Sequence, residues 1–519
     1  MSPHIVFLGQ RAIKMNDNSV PPLSTAMGWS AIGSMVSLLC KFAAGVLIAR
    51  ELSPADFGDF SYIMWLVGFV CSTGNMGITY STSRETAISS ARGDYSKAAS
   101  LTYYGFQFLG ISFFLVSAII IFLSKTYWTK NIWIIVSLLI MTSGEIFGSW
   151  AIGWFSAYLN QRLISILGIL SSGIVLVGVI IIQGRASIVI LLILYAISYA
   201  GNLASMINLI PSVNKLRKGV VINKEDKSRI LRLGFEYGIT IIGVSVLWQR
   251  FEIAYLKIFS SSIEIAKFVA ISQISSIVIY SITFLTAPIA QYIARILSTE
   301  GDQYIGDRWR FLNKYMGLFS IMLSGYIIAN GEVILKLFYE NKYDNLEYLL
   351  VLLSVSGVIF GITSISSGLV FGIGKPRINL LSIAFTIPFV LIFAAYVVPD
   401  LGAIGAAYTR IIGFCLSLSL LLVFIGKRYG VPLKFSSFIK LVVIFVFSIV
   451  SSYISQYYIE YYVAKLIVSM VTDIGMTILL VKVIGFVDDC DRAFIESTLG
   501  TFPKFIAVPI NFVYSYCIS

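Results

Sequence analysis

Trp29-Ser-Ala-Ile-Gly-Ser-Met-Val-Ser-Leu-Leu-Cys-Lys41-Phe-Ala-Ala-Gly-Val-Leu-Ile-Ala-Arg50-Glu-Leu-Ser-Pro54-Ala-Asp-Phe-Gly58 is the stretch on which the fold turns. Residues 27–49 are apolar and numerous enough for a helix of about 30 Å, the thickness of a bilayer core. Pro54 marks a short connection carrying Glu51, Asp56 and Asp59, and a second apolar run continues to Tyr80. Lys41 breaks the pattern of the first run. It lies about 12 Å from the outer end of its span by helical rise, too deep for a stretched side chain to reach the headgroups fully. At helical spacing it shares a face with Ser34, Ser37, Ala44 and Gly45, while Met35, Leu39, Phe42 and Val46 lie elsewhere. A small, polar face around a buried cation reads as turned toward protein or a watery cavity.

Composition extends this reading to the whole chain. Of 519 residues, 57% are hydrophobic and 12% charged, and the mean hydropathy is +0.87, far from the averages of soluble domains. An all-α, polytopic membrane protein is expected. Residues 1–26 are polar and lack the apolar core and cleavage site of a signal peptide, so the first span is expected to serve as the insertion signal. Cys40, Cys71, Cys415, Cys490 and Cys517 have no CxxC spacing, and three fall in apolar spans. Neither a disulfide framework nor a metal site is read from them, and no cofactor is called for. The one histidine, His4, is in the N-terminal tail, which argues against His-based catalysis and most zinc chemistry. A net charge of +12 would point to nucleic acid in a soluble protein. Here the basic residues fall in short loops and report membrane topology instead, so no nucleic-acid partner is expected.

Apolar stretches give about 14 spans, near 27–49, 59–80, 101–123, 132–154, 163–182, 187–210, 235–257, 266–290, 313–335, 347–372, 378–398, 402–426, 437–458 and 461–483. Most Lys and Arg fall in connections on the side of the N-terminus, which puts both termini in the cytoplasm. The expected organisation is a cytoplasmic tail (1–26), an N-terminal six-helix bundle (27–211), a basic cytoplasmic linker (212–234), a C-terminal six-helix bundle (235–426), two additional helices (427–484) and a cytoplasmic tail (485–519). Within the first bundle, residues 83–100 mix Arg84, Glu85, Arg92, Asp94 and Lys97 with small residues, as in a short interfacial helix or a plain loop.

Ionisable residues inside spans are functional candidates by default. Beside Lys41 these are Arg250 and Arg410 among the cations. Among the acids they are Glu145, which shares a face with Thr142, Gly148 and Ser149, then Glu252, and Asp473 in the last span. Each has a structural reading as well: Lys41 snorkelling, Arg250 on backbone carbonyls, Arg410 paired with an acid, the carboxyls hydrogen-bonded or protonated. Arg250 and Glu252 are two apart and face different directions, so each needs another partner. A weak repeat relates the halves. Lys41 with its following connection matches Arg250 with residues 259–268, and Asn160-Gln-Arg162 matches Gly374-Lys-Pro-Arg377. Two halves in the same orientation with a basic residue at matched depth are what a parallel-repeat transporter gives.

Ile48-Ala-Arg-Glu-Leu-Ser-Pro-Ala-Asp-Phe-Gly-Asp-Phe-Ser61, Ser367-Gly-Leu-Val-Phe-Gly-Ile-Gly-Lys-Pro-Arg-Ile-Asn379 and Leu401-Gly-Ala-Ile-Gly-Ala-Ala407 resemble Wzx-type polysaccharide flippases. These O-antigen and capsule-unit translocases belong to the multidrug, oligosaccharidyl-lipid and polysaccharide exporter (MOP) superfamily. With the span count, the resemblance covers nearly the whole chain. It implies two six-helix bundles around a central cavity, two further helices, and a place in the bacterial cytoplasmic (inner) membrane. The implied activity is alternating access that carries an undecaprenyl-diphosphate-linked oligosaccharide across the membrane, coupled to an ion gradient. The implied partners are that lipid-linked oligosaccharide, membrane lipid, and a polysaccharide polymerase with a chain-length regulator. Lys41, Arg250 and Arg410 are the positions that fit a cationic substrate cavity, and Glu145, Glu252 and Asp473 those that fit ion coupling.

The physical case for a lipid diphosphate stands apart from the resemblance, because moving so much negative charge through low dielectric requires cations in the pathway. A cation-coupled multidrug exporter of the same superfamily is the alternative, and would favour acidic, aromatic walls. A membrane glycan polymerase or glycosyltransferase ranks last, since every outward connection is short; the chain is not expected to be an enzyme.

Overall fold

A computed structural model describes residues 23–127, 131–158, 160–217, 220–248, 251–286, 305–340, 342–343, 345–373, 375–429, 435–457 and 459–488, together with 289, 293 and 491. His4, Arg250, Gly374, Cys490 and Cys517 lie outside the described residues. Sixteen helices and no strand are found among those described. Eleven of the helices are long and apolar enough to cross a membrane. The chain divides by its internal contacts into two units, residues 1–257 and 258–519.

Unit 1 contains α1 (Leu23–Glu51), α2 (Pro54–Asn75), α3 (Ile78–Ala91), α4 (Tyr95–Tyr127), α5 (Ile132–Ala157), α6 (Gln161–Ile181), α7 (Ile188–Arg217) and α8 (Lys224–Trp248). The short α9 (Glu252–Phe259) runs across the division. The ends of these helices follow from local chemistry. Ser53 caps α2, accepting from the Asp56 amide at 3.1 Å with Pro54 in the first turn. Asn131 caps α5 and Asn160 caps α6 in the same way. Two helix pairs dominate the packing, α1 on α6 and α5 on α7. Both rely on glycine to bring backbones together: Gly33 and Gly168 against Ser165 and Ser37, Gly144 and Gly148 against Tyr199 and Asn202.

The seventh span of the sequence reading is covered by α8, to Trp248, and α9, from Glu252. The basic segment 212–234 is mostly helix, shared between the end of α7 and the start of α8. Residues 83–100 are neither a surface helix nor a loop. They supply the second half of α3, a turn at Gly93, and the start of α4. Most of the hydroxyls of α3 are buried, among them Ser81, Thr82 and Thr86. They are satisfied locally, Thr82 by the Ile78 carbonyl and Thr86 by the Thr102 hydroxyl at 2.8 Å.

Unit 2 contains α10 (Ser262–Thr286), α11 (Ile305–Ala329), α12 (Gly331–Tyr339), α13 (Glu347–Gly372), α14 (Pro376–Tyr429), α15 (Phe435–Gln456) and α16 (Tyr462–Val483). Helix α13 packs against α10, α11 and α14, while α15 and α16 pair with each other and lie on α11. At 54 residues α14 is two crossings joined without a loop. Gly402 breaks it with φ +52, and the Ala403 amide donates to the Glu264 carboxylate at 2.9 Å. With α14 counted twice, and with α2 and α8 at the second and seventh positions, the helices account for every span read from the sequence.

Candidate functional site

Lys41 and Glu145, singled out separately by their depth in apolar spans, are brought together in unit 1. The Lys41 ammonium on α1 lies within electrostatic range of the Glu145 carboxyl on α5, and the Tyr199 side chain of α7 lies beside that carboxyl. Cys71 of α2 sits beside Glu145 and Thr142. Because α1 is carried by α6 and α5 by α7, the cation and the acid come from different helix pairs. Lys41 is exposed, and Glu145 and Tyr199 are half-buried. One face of α5 sets the geometry. Thr142, Glu145, Ser149 and Gly153 recur at three- and four-residue spacing, and Gly144 and Gly148 on the adjoining face let α7 approach closely enough for Tyr199 to reach the acid.

Polar contacts continue from this group along α5 toward α3. Asn75 Nδ2 donates to Ser149 Oγ at 2.9 Å and caps the Thr79 amide through its Oδ1. Ser83 Oγ donates to the Gly153 carbonyl at 2.8 Å. Beyond it an ion cluster ties α3 to α8. The Arg229 guanidinium bridges Glu85 at 2.7 Å and Asp226 at 2.8 Å, while Arg84 reaches Glu85 and Lys97 reaches Asp226. Both acids are buried. Around the cluster, Ile78, Leu101 and Ile230 form an apolar core, and Arg217 lies 4.3 Å from the centre of the Tyr103 ring. Gly238 passes against the Met76 backbone, where a side chain would clash, and Gly234 against the end of the Ile78 side chain.

The architecture was compared with solved structures. The chain superposes on a lipid II flippase, MurJ, in an inward closed conformation, with a TM-score of 0.69 over 87% of this chain and 98% of that one, at 13% identity. An inward-facing multidrug resistance MATE family transporter of the MOP superfamily gives 0.62 over 76% and 94%, at 16% identity. The fold is the one seen in these solved transporters. A MOP superfamily transporter from Pyrococcus furiosus, with a binding pocket of reversed polarity, gives 0.53 over 78% and 94%, at 16% identity. No known family and no curated protein matches by sequence, so the likeness is one of architecture.

In this fold the remaining candidates fall in different places. Arg250 lies outside the described residues. Glu252 is buried at the start of α9, near Tyr255. Arg410 is 5% exposed, its guanidinium 4.8 Å from the centre of the Phe268 ring where α14 packs on α10. Asp473 is buried in α16 and accepts a hydrogen bond from Ser448 of α15. Sequence reasoning missed Tyr199, because a tyrosine in an apolar span counts as apolar. The one signal for it was Tyr195, a helical turn away on the same face of α7. It also missed Arg229 as a partner of Glu85, since the two are far apart in the chain and both sit in polar segments.

Proposed function

We propose that this chain is a flippase that moves an undecaprenyl-diphosphate-linked oligosaccharide across the bacterial inner membrane by alternating access. The observation that carries this reading is that Lys41 lies within electrostatic range of Glu145 in unit 1. Likeness in fold to a lipid II flippase supports it. A charge at the centre of a bilayer costs roughly 2.5–3.5 kcal/mol on translocon-based scales, so Lys41 needs an anion. Glu145 is one, and a diphosphate headgroup is a stronger one. In this reading the ammonium exchanges between the two. Protonation of Glu145 frees Lys41 for the diphosphate, and deprotonation draws the ammonium back and expels the substrate. Ion coupling and anion release are then one event.

Arg250 serves as the second pathway cation, while Arg410, closed in over Phe268, holds α14 on α10. Glu252 is a further coupling candidate. The translocated unit passes to a polysaccharide polymerase and its chain-length regulator. The test is display of surface glycan at unchanged protein level in the membrane, together with translocation of the lipid-linked oligosaccharide in proteoliposomes. Lys41→Ala is expected to abolish both and Lys41→Arg to retain part. Normal display from Lys41→Ala and Arg250→Ala would overturn the reading. The deep carboxyl of Glu145 favours one alternative, a cation-coupled drug exporter. In that case Glu145→Gln removes drug resistance and Lys41→Ala leaves glycan display intact.

A further inference from the structure

The two helices that follow the repeated bundles carry a polar layer that the flippase reading does not use. Asp473 lies midway along α16 in an apolar span and is 2% exposed. Ser448 of α15 donates to it, and Tyr326 of α11 lies within electrostatic range. Among the described residues, no Lys or Arg forms an ion pair with it. Lys465 and Lys482 on α16, Lys440 on α15 and Lys314 on α11 stand near the helix ends, each about 12 Å or more away along its own helix. Lys314 is already bound to Asp491 at 2.5 Å and Lys440 to the Gly485 carbonyl at 2.7 Å. On α12, Glu332 and Lys336 pair with each other at 2.6 Å.

Hydroxyls complete the layer. Thr477 is one turn from Asp473 on the same face of α16, and Ser452 is one turn from Ser448 on the same face of α15. Ser324 adjoins Gly325, which meets Ser448 across the α11–α15 contact. All three hydroxyls are at least nine-tenths buried, and none has a hydrogen-bond partner. A neighbouring polar set, at the end of α11 and on α15 and α16, is satisfied. There Asn330 donates to Ser469 at 2.6 Å, Ser469 donates back to the Asn330 carbonyl at 2.9 Å, and Gln456 closes the set at 3.0 Å. The hydroxyls of Ser324, Ser452 and Thr477 beside Asp473 stand unmet, in contrast to the Asn330–Ser469–Gln456 set, and buried polar groups left unmet are rare without a reason.

We propose that Asp473, Ser448 and the hydroxyls of Ser324, Ser452 and Thr477 form a binding site for a single positive charge, a sodium ion or a proton, at the α11–α15–α16 junction. One carboxylate balances one charge, and neutral hydroxyl oxygens are the hard ligands that an alkali cation takes. The site is independent of the substrate, because it is read from binding and not from transport.

The test uses the purified full-length chain in detergent at constant ionic strength. The midpoint of thermal unfolding is followed as sodium replaces N-methylglucamine at pH 7.5, and as pH falls to 5.5 without sodium. A midpoint that rises with sodium in the wild type, and stays flat in Asp473→Asn, assigns the ion. A midpoint indifferent to sodium but raised by acid, with the acid response lost in Asp473→Asn, assigns the proton. Thr477→Val and Ser448→Ala keep the carboxylate and serve where Asp473→Asn does not fold; each is expected to weaken the response several-fold. A wild-type midpoint that moves with neither sodium nor pH, or variants that respond as the wild type does, overturns the proposal.

Discussion

Arg229→Ala is the substitution that most directly examines how α8 is held to α3. The guanidinium is shared by two acids, Glu85 at 2.7 Å and Asp226 at 2.8 Å, whose side chains are 4% and 8% exposed. Breaking a fully buried ion pair costs about 3–5 kcal/mol, whereas an exposed pair is worth about 0–1 kcal/mol. Arg229 itself is 52% exposed, and each acid keeps a second cation, Arg84 at 2.8 Å and Lys97 at 2.7 Å. The loss should therefore fall between the limits, at about 1–2 kcal/mol. For a large domain that lowers the unfolding midpoint by a few degrees, roughly 2–6 °C. The assay is tryptophan fluorescence during heating in detergent, for wild type, Arg229→Ala, Glu85→Gln and the double variant. Arg229→Ala should cost less in the Glu85→Gln background, because the charge it neutralises is gone. Equal costs in the two backgrounds, or a single variant as stable as wild type, would refute the shared-cation account. Raising salt should narrow the gap only slightly, since screening reaches buried acids poorly.

Glycine contacts at the same junction give a second prediction. Gly238→Ala places a Cβ 2.9 Å from the Met76 carbonyl carbon, and Gly77→Ala adds to a 2.5 Å contact the strain of φ +66; each should destabilise by about 1–3 kcal/mol. Gly68→Ala, with nothing within 4 Å, should be neutral or stabilising in the same melting assay. In unit 2, a hydrogen bond from Lys336 holds the Glu332 carboxyl below its ordinary value of 4.5, and the Lys336 charge adds to the effect. The contribution is present in full above pH 4.5 and is lost as acid falls through the lowered value. Glu332→Gln should therefore differ from wild type at neutral pH and converge with it in acid. The difference will be small, because Glu332 is 67% exposed.

Much of this was legible in the sequence, for a physical reason. Apolar runs of bilayer length set the helix count, and Lys41 and Glu145 stood out because a charge in such a run cannot go unanswered. The face of Thr142, Glu145, Gly148 and Ser149 could be read from spacing alone. Other features depended on contacts that no local pattern encodes. Helix α3 is rich in Ser and Thr, residues that favour loops and caps, and only burial against α4, α5 and α8 makes it a core helix. Residues 212–234 looked like a solvated basic linker, yet Ile230, Gly234 and the Arg229 cluster dock that segment on α3. Arg410 read as one more deep cation because periodicity does not reveal that Phe268 closes over it.

The bend at Gly402 has a consequence for the surface. Where a hairpin of spans would ordinarily show a longer loop, the two arms of α14 meet at the non-helical Gly402, where the Ala403 amide donates to the Glu264 carboxylate. Proteases, antibodies and phage tail proteins find little free chain to grip there. The two arms are joined like a bent lever, so tilting one must drag the other.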